Sequence, residues 1–228
     1  MPQLLSNANH PEIQLVAKRL TSGAESDRQA AERLFEFVRD DILFGFPQTW
    51  NAITASEVLT LRIGYCTPKA TLFHALCQAA GVGSRLHAGL ISKEILFGLL
   101  PPFAYPMQPA AVGHAWVELR LDGEWRPIDS YIVDKALYRA ADAKLTATGR
   151  TTGYSLSRAQ GPTSPEFNFG EKGYVQMGAV IADHGVWDDL SDYMESDDYR
   201  GMNRLQNAFY PTLARLTNRR VERLRTGR

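Results

Sequence analysis

The run CTPKATLFHALCQAAG, residues 66–81, constrains the fold more than any other part of the chain. At helical spacing Ala70, Phe73, Cys77 and Ala80 line one face, and Leu72, Leu76 and Ala79 line another. A helix apolar on two sides must be enclosed by the rest of the molecule. Gly81 is placed to end it. Pro68 falls in the first turn, where backbone amides have no intrahelical acceptors, and so sets the helix start at or beside Cys66. Gly64, just ahead, frees the backbone for a sharp turn into it.

A thiol at a helix start feels the positive end of the macrodipole. With a protonated histidine nearby its pKa falls from about 8.5 toward roughly 3.5–7.5. Cys66 is therefore the candidate nucleophile. Cys77 lies mid-helix on an apolar face, where cysteine behaves as a small hydrophobe. Eleven residues on one helix separate the two cysteines, about 16 Å at ~1.5 Å per residue. That excludes a disulfide, which needs Cα atoms within about 7 Å.

The segment HAWVELRLDGEWRPIDS supplies a partner for the thiol. Asp122-Gly123 is a two-residue hairpin signal, and if these are the loop residues Leu121 faces Glu124. Trp116 then faces Asp129, His114 faces Tyr131, and His114 and Asp129 share a face as diagonal neighbours, about 7–8 Å apart at the backbone. A carboxylate in reach of an imidazole fixes its tautomer and aims it as a base. Asp134 is the next acidic residue that could take that place.

Elsewhere the chain reads as scaffold. Ile13, Val16, Ala17 and Leu20 predict an amphipathic helix, and Ser26 with Gln29 opens a second that carries Leu34, Phe37 and Val38 to about Asp41. Residues 42–51 read as loop. A short helix over 55–61 follows, capped by Thr54 with Glu57 three residues on. Residues 84–91 read as a strand. The long proline-rich segment 92–113 reads as a lid or substrate wall. Residues 140–172 read as irregular, residues 167–185 as one more strand pair, and the tail from Tyr199 as helical with Leu205, Ala208, Leu213 and Leu216 as its apolar positions.

With 228 residues, 44% of them hydrophobic, one sizeable core can form. The division expected is a catalytic core with N-terminal helices over 1–140, and an extension over 141–228 that packs on it and ends in a basic helix. The 25 basic and 25 acidic residues cancel, so no global field steers the protein to nucleic acid or an anionic membrane. The opening MPQLLSNANH lacks a basic region followed by an apolar one, and no run of about 18 apolar residues occurs. A cytoplasmic protein is expected.

The ordered set ASEVLTLRIGYCTPKATLFHALCQAAGVGSRL followed by GHAWVELRLDGEWRPIDS resembles the core of the transglutaminase-like superfamily, and in particular its bacterial candidate cysteine proteases. The resemblance covers roughly residues 55–130. It implies an α+β, papain-like fold with the cysteine at the N-terminus of a buried helix packed on an antiparallel sheet. It implies Cys66, His114 and Asp129 as a catalytic triad and an acyl-enzyme intermediate. Hydrolysis of an amide or peptide bond is the reaction expected, ahead of an amide-forming acyltransferase with an amine acceptor (transglutaminase or amide synthase type) or a non-catalytic binding module on the same fold. No cofactor is implied. The substrate expected is a peptide or a small amide or thioester.

Gln48 and Trp50, in the loop before the cysteine helix, are candidates for a second oxyanion donor beside the Cys66 amide. Trp116, Phe103 and Tyr105 are candidates for substrate contact, with packing the other role open to Trp116. His74 lies eight residues beyond Cys66 on one helix, about 12 Å along it, too far to act as base. His87 and His184 read as satisfied or surface residues. A zinc site from Cys66, His74, Cys77 and His114 fails on spacing. Arg215, Arg219, Arg220, Arg223, Arg225 and Arg228 make the tail basic. A solvated helix end explains this, and docking of an acidic carrier protein is the alternative.

Overall fold

The computed structural model describes residues 4–49, 52–169 and 174–228. Two amphipathic helices come first. In α1 (Pro11–Thr21) Ile13 and Ala17 turn inward, and in α2 (Asp27–Asp40), capped by the Ser26 side chain on the Gln29 amide, Leu34, Phe35 and Val38 do the same. β1 (Leu43–Phe44) follows within the predicted loop. α3 (Ala55–Leu61) starts at the expected reciprocal cap between Thr54 and Glu57 and stops at Arg62, which takes a left-handed φ of 56°. That turn lays β2 (Ile63–Gly64) parallel to β1, a two-residue pairing hidden from the sequence because its halves lie about twenty residues apart.

α4 (Cys66–Ala79) is the predicted central helix, with Cys66 as its first residue and every side chain from Cys66 to Cys77 buried. α1, α2 and α3 surround one side of it and the sheet lies on the other. The enclosure takes in Lys69, whose Nζ donates to the carbonyls of Ile42 at 2.6 Å and Arg39 at 3.3 Å. Burial drives its ammonium down to about 7, against the pull of Asp134.

The sheet is built from β3 (Ser84–Ser92), β4 (Ala111–Leu121) and β5 (Glu124–Ile128). The hairpin has the predicted register: Leu121 pairs with Glu124, and the ladder runs back to Val117 and Ile128. Its turn has φ of 55° at Asp122 and 84° at Gly123, positive at both positions as a two-residue turn of this hand requires. The ladder stops one pair short of Trp116 and Asp129. Ala115, Val117, Leu119 and Leu121 join the core. By the alternation of a strand, His114, Trp116 and Glu118 occupy the other face.

Residues 135–148 form α5 (Lys135–Thr148), which corrects the expectation that the chain is irregular from residue 140. The Asp134 side chain caps it by accepting the Leu137 amide. A small pair, β6 (Thr152–Gly153) and β7 (Leu156–Ser157), follows. Among the described residues the expected further strand pair is one strand, β8 (Val180–Trp187), which adds to β3 and gives the antiparallel order β5-β4-β3-β8. β8 comes so close that a Cβ on Gly89 would collide with the Ala182 carbonyl oxygen. After α6 (Leu190–Glu195), the long α7 (Arg204–Thr226) closes the chain. No described helix is long and apolar enough to cross a membrane.

α7 is tied down at several points. Asn218 exchanges two 2.8 Å hydrogen bonds with the backbone of Phe46. Arg220 donates to the Leu99 carbonyl at 3.2 Å, and Arg225 meets the Phe44 carbonyl at 2.7 Å and the Asp134 carboxylate at 2.9 Å. At least two of the six tail arginines therefore serve the interior. The result is the expected α+β arrangement, with the cysteine helix packed against an antiparallel sheet.

Candidate active site

β4 continues past the end of β5, so from Trp116 back to Ala111 one edge of the strand has no ladder partner. The start of α4 abuts this open edge. The backbone amides of Ala115, next in sequence to His114, and of the helix start act to lower the Cys66 thiol pKa, and the sulfur lies 3.9 Å from the Thr67 hydroxyl. Cys66 and His114 line one cavity of about 560 Å³. The hairpin carries the histidine, the helix start carries the thiol, and the strand edge joins them.

The resting electrostatics run against the lowered thiol pKa that a helix start beside a protonated histidine implies. Burial pushes the Cys66 thiol up more strongly than the surrounding amides pull it down. Burial also drives His114 down to about 3. Both groups are therefore neutral at neutral pH. Neither ring nitrogen of His114 has a hydrogen-bond partner among the described residues. The ring stacks on Trp116, with centroids 5.7 Å apart and planes at 27°, and Trp116 stacks in turn on His87 at 4.9 Å. His87 sits between Asp183 and Glu118, each 3.2 Å away.

Asp129 is fully buried, and its hydrogen bonds go elsewhere than expected. Its Oδ1 accepts the Val175 amide at 2.8 Å, and its Oδ2 accepts the amides of Gln176 at 2.7 Å and Met177 at 2.8 Å. These three donors act against desolvation, which raises the carboxyl to about 6, so it is ionised at neutral pH. Its bonds fasten the 175–177 turn to the end of the hairpin. Oδ1, with one accepted bond, retains room for another donor. Asp134, the alternative acid, is committed to Arg225, the Leu137 amide and the Phe44 amide.

The remaining candidates divide. Phe103 lines the cavity, as does much of the predicted wall between β3 and β4. Tyr105 does not; its hydroxyl donates to Glu94 at 2.6 Å and braces that wall. Trp116 is buried, stacks on His114 and is not among the residues that line the cavity. Gln48 is exposed and off the cavity wall. Trp50 lies outside the described residues. His74 bonds Ser84 at 2.9 Å and His184 bonds Tyr193 at 3.1 Å. Both cysteines are free, and no cluster of metal-ligating side chains occurs among the described residues. Leu205 and Phe209 of α7, four residues apart on one helix face, complete the cavity. Their spacing was visible in the sequence, whereas their destination depends on where α7 docks.

Residues 14–130, just over half of the chain, match the family model of the transglutaminase-like superfamily. The chain belongs to that superfamily. Among solved structures it is similar to a candidate cysteine protease from Cytophaga hutchinsonii, at 16% identity over 84% of this chain and 46% of that one, with a TM-score of 0.48. It is also similar to the periplasmic domain of TgpA from Pseudomonas aeruginosa bound to ethylmercury, at 21% identity over 58% and 47% of the two chains and a TM-score of 0.40. A candidate protease from Parabacteroides distasonis aligns at 18% identity over 55% of this chain and 24% of that one, with a TM-score of 0.39. The transglutaminase-like chain spans less than half the length of each. No curated protein matches it.

Proposed function

We propose that this protein hydrolyses an amide bond through a Cys66 acyl-enzyme, with His114 as general base and acid and Asp129 as the residue that positions it. The observation that carries this reading is that Cys66, at a helix start, and His114, with both ring nitrogens unpartnered among the described residues, line the same cavity.

Because thiol and imidazole rest neutral, proton transfer accompanies attack rather than preceding it. His114 takes the Cys66 proton as sulfur bonds to the substrate carbonyl carbon. The oxyanion that forms lies within reach of the Cys66 backbone amide. His114 then gives its proton to the leaving nitrogen, the C–N bond breaks, and a thioester remains on Cys66. Water, deprotonated by His114, attacks that thioester, and the thiol recovers its proton as the acid departs. Asp129 is ionised and follows the last ladder pair, Val117 with Ile128; continuing that register by one pair would put it on the face of His114. A bond from a His114 N–H to Oδ1 would stabilise the imidazolium as it forms.

Incubation of the full chain with an activated acyl ester, with and without a simple primary amine, tests the reading. Free acid as main product in both cases is expected. Amide as main product would replace hydrolysis by acyl transfer to amines, and no turnover in either would favour a binding module.

A further inference from the structure

We propose that the acyl group accepted by this site is an apolar chain, rather than a charged or strongly polar peptide segment. The proposal rests on Cys66 being the nucleophile, and deepens that reading by naming the class of donor.

The cavity that holds Cys66 and His114 has about 560 Å³, within the roughly 300–1,000 Å³ usual for small-molecule sites. No Asp, Glu, Lys or Arg lines it among the described residues, and its histidine rests neutral. Among the few polar wall groups, the Gln176 amide nitrogen donates to both the carbonyl and the hydroxyl of Ser155, and the Thr217 hydroxyl is buried with no partner among the described residues. A charged substituent would lose its hydration there and meet no counter-charge.

The outer rim is apolar too. Phe103 is 66% and Met107 78% exposed on one side, and Leu205 68% and Phe209 65% on the α7 side, and all four line the same cavity as the buried thiol. One space thus runs from an exposed apolar rim to the sulfur, where single scattered hydrophobes would need no explanation. A chain bonded to a carbonyl at Cys66 would be covered by apolar surface along its length. Each buried methylene is worth up to about fourfold in binding.

Alkylation of the full chain tests this without turnover. N-ethyl, N-butyl and N-hexyl iodoacetamide are compared with a polar reagent of hexyl length, N-[2-(2-hydroxyethoxy)ethyl] iodoacetamide. In each case sulfur bonds to the reagent's methylene carbon, iodide leaves, and the thiol proton passes to buffer. Rates at Cys66 are read by peptide mass spectrometry and divided by those for free glutathione. The normalised rate is expected to rise about two- to fourfold per methylene, with hexyl at least tenfold above its polar counterpart. Phe209→Ser, a substitution at an exposed rim position, should reduce that ratio several-fold. Equal normalised rates for the hexyl and polar reagents would overturn the apolar preference while leaving Cys66 as nucleophile. Failure of every reagent to label Cys66 ahead of Cys77 would instead overturn the underlying reading, and the preference with it.

Discussion

The Asp129 carboxylate accepts the Gln176 backbone amide at 2.7 Å, across 47 residues of chain. With the Val175 and Met177 amides beside it, the carboxylate fastens the turn that leads into β8 to the end of the β4–β5 hairpin. In the proposed mechanism one side chain therefore has two tasks: to hold that turn and to position His114.

Asp129→Asn separates them. One carboxylate oxygen becomes an NH2 that cannot accept, so at least one buried amide loses its partner, a cost of about 1–3 kcal/mol. Chemical denaturation at neutral pH should show that loss. Activity should fall, but less than in His114→Ala, since the imidazole remains. A variant as stable and as active as the wild type would contradict both tasks.

His114 makes a pH-dependent contribution to stability. Its folded-state pKa of about 3 lies below the ordinary value near 6.5. Between those values the unfolded chain binds a proton that the folded chain does not. Its contribution is complete above pH 6.5 and is lost as pH falls toward 3. Asp129, raised to about 6, acts with the opposite sign, so the comparison of wild type with His114→Phe isolates the histidine. Unfolding free energies from denaturant titrations between pH 6 and 4 should fall less steeply in the variant, by up to about 1.4 kcal/mol per pH unit. Parallel slopes would show that His114 is not buried in its neutral form.

The wall formed by α7 depends on Arg225, which pairs with the buried Asp134 and also reaches the Phe44 carbonyl. Arg225→Met leaves the carboxylate with two backbone donors and Lys69 as its remaining counter-charge, a loss of about 3 kcal/mol. Hydrogen exchange should quicken along α7 while the amides of α4 stay protected. Uniform loss of protection would mean that α7 and the core unfold as one unit.

Much of this was legible before the fold was known. The start of α4 follows from Pro68 and the apolar run, because a proline confined to the first turn leaves little latitude in where the helix begins. The hairpin register follows from Asp122-Gly123, because a two-residue loop fixes every pair behind it. The charge states were not legible: Cys66 and His114 are neutral through burial, which is decided by packing among distant segments. The partners of Asp129 were hidden for the same reason, since nothing local marks the amides of 175–177 as donors. α5 went unseen beyond residue 140 because the threonines and glycine near its end resemble loop composition, although Asp134 is a readable N-cap. α7 was readable as a helix, but its buried residues are Tyr210, Ala214, Thr217 and Val221 rather than Leu205, Ala208, Leu213 and Leu216, because spacing alone does not say which way a helix will dock.

The central claim is that Cys66 carries the acyl group, and the most direct test is to trap it there. The full chain is mixed with p-nitrophenyl hexanoate, quenched in acid within the first turnover, and mapped by peptide mass spectrometry. The account predicts a single hexanoyl adduct on Cys66, absent from Cys66→Ala and strongly reduced in His114→Ala. An adduct on Cys77 or another residue, or p-nitrophenol release that Cys66→Ala leaves unchanged, would contradict it.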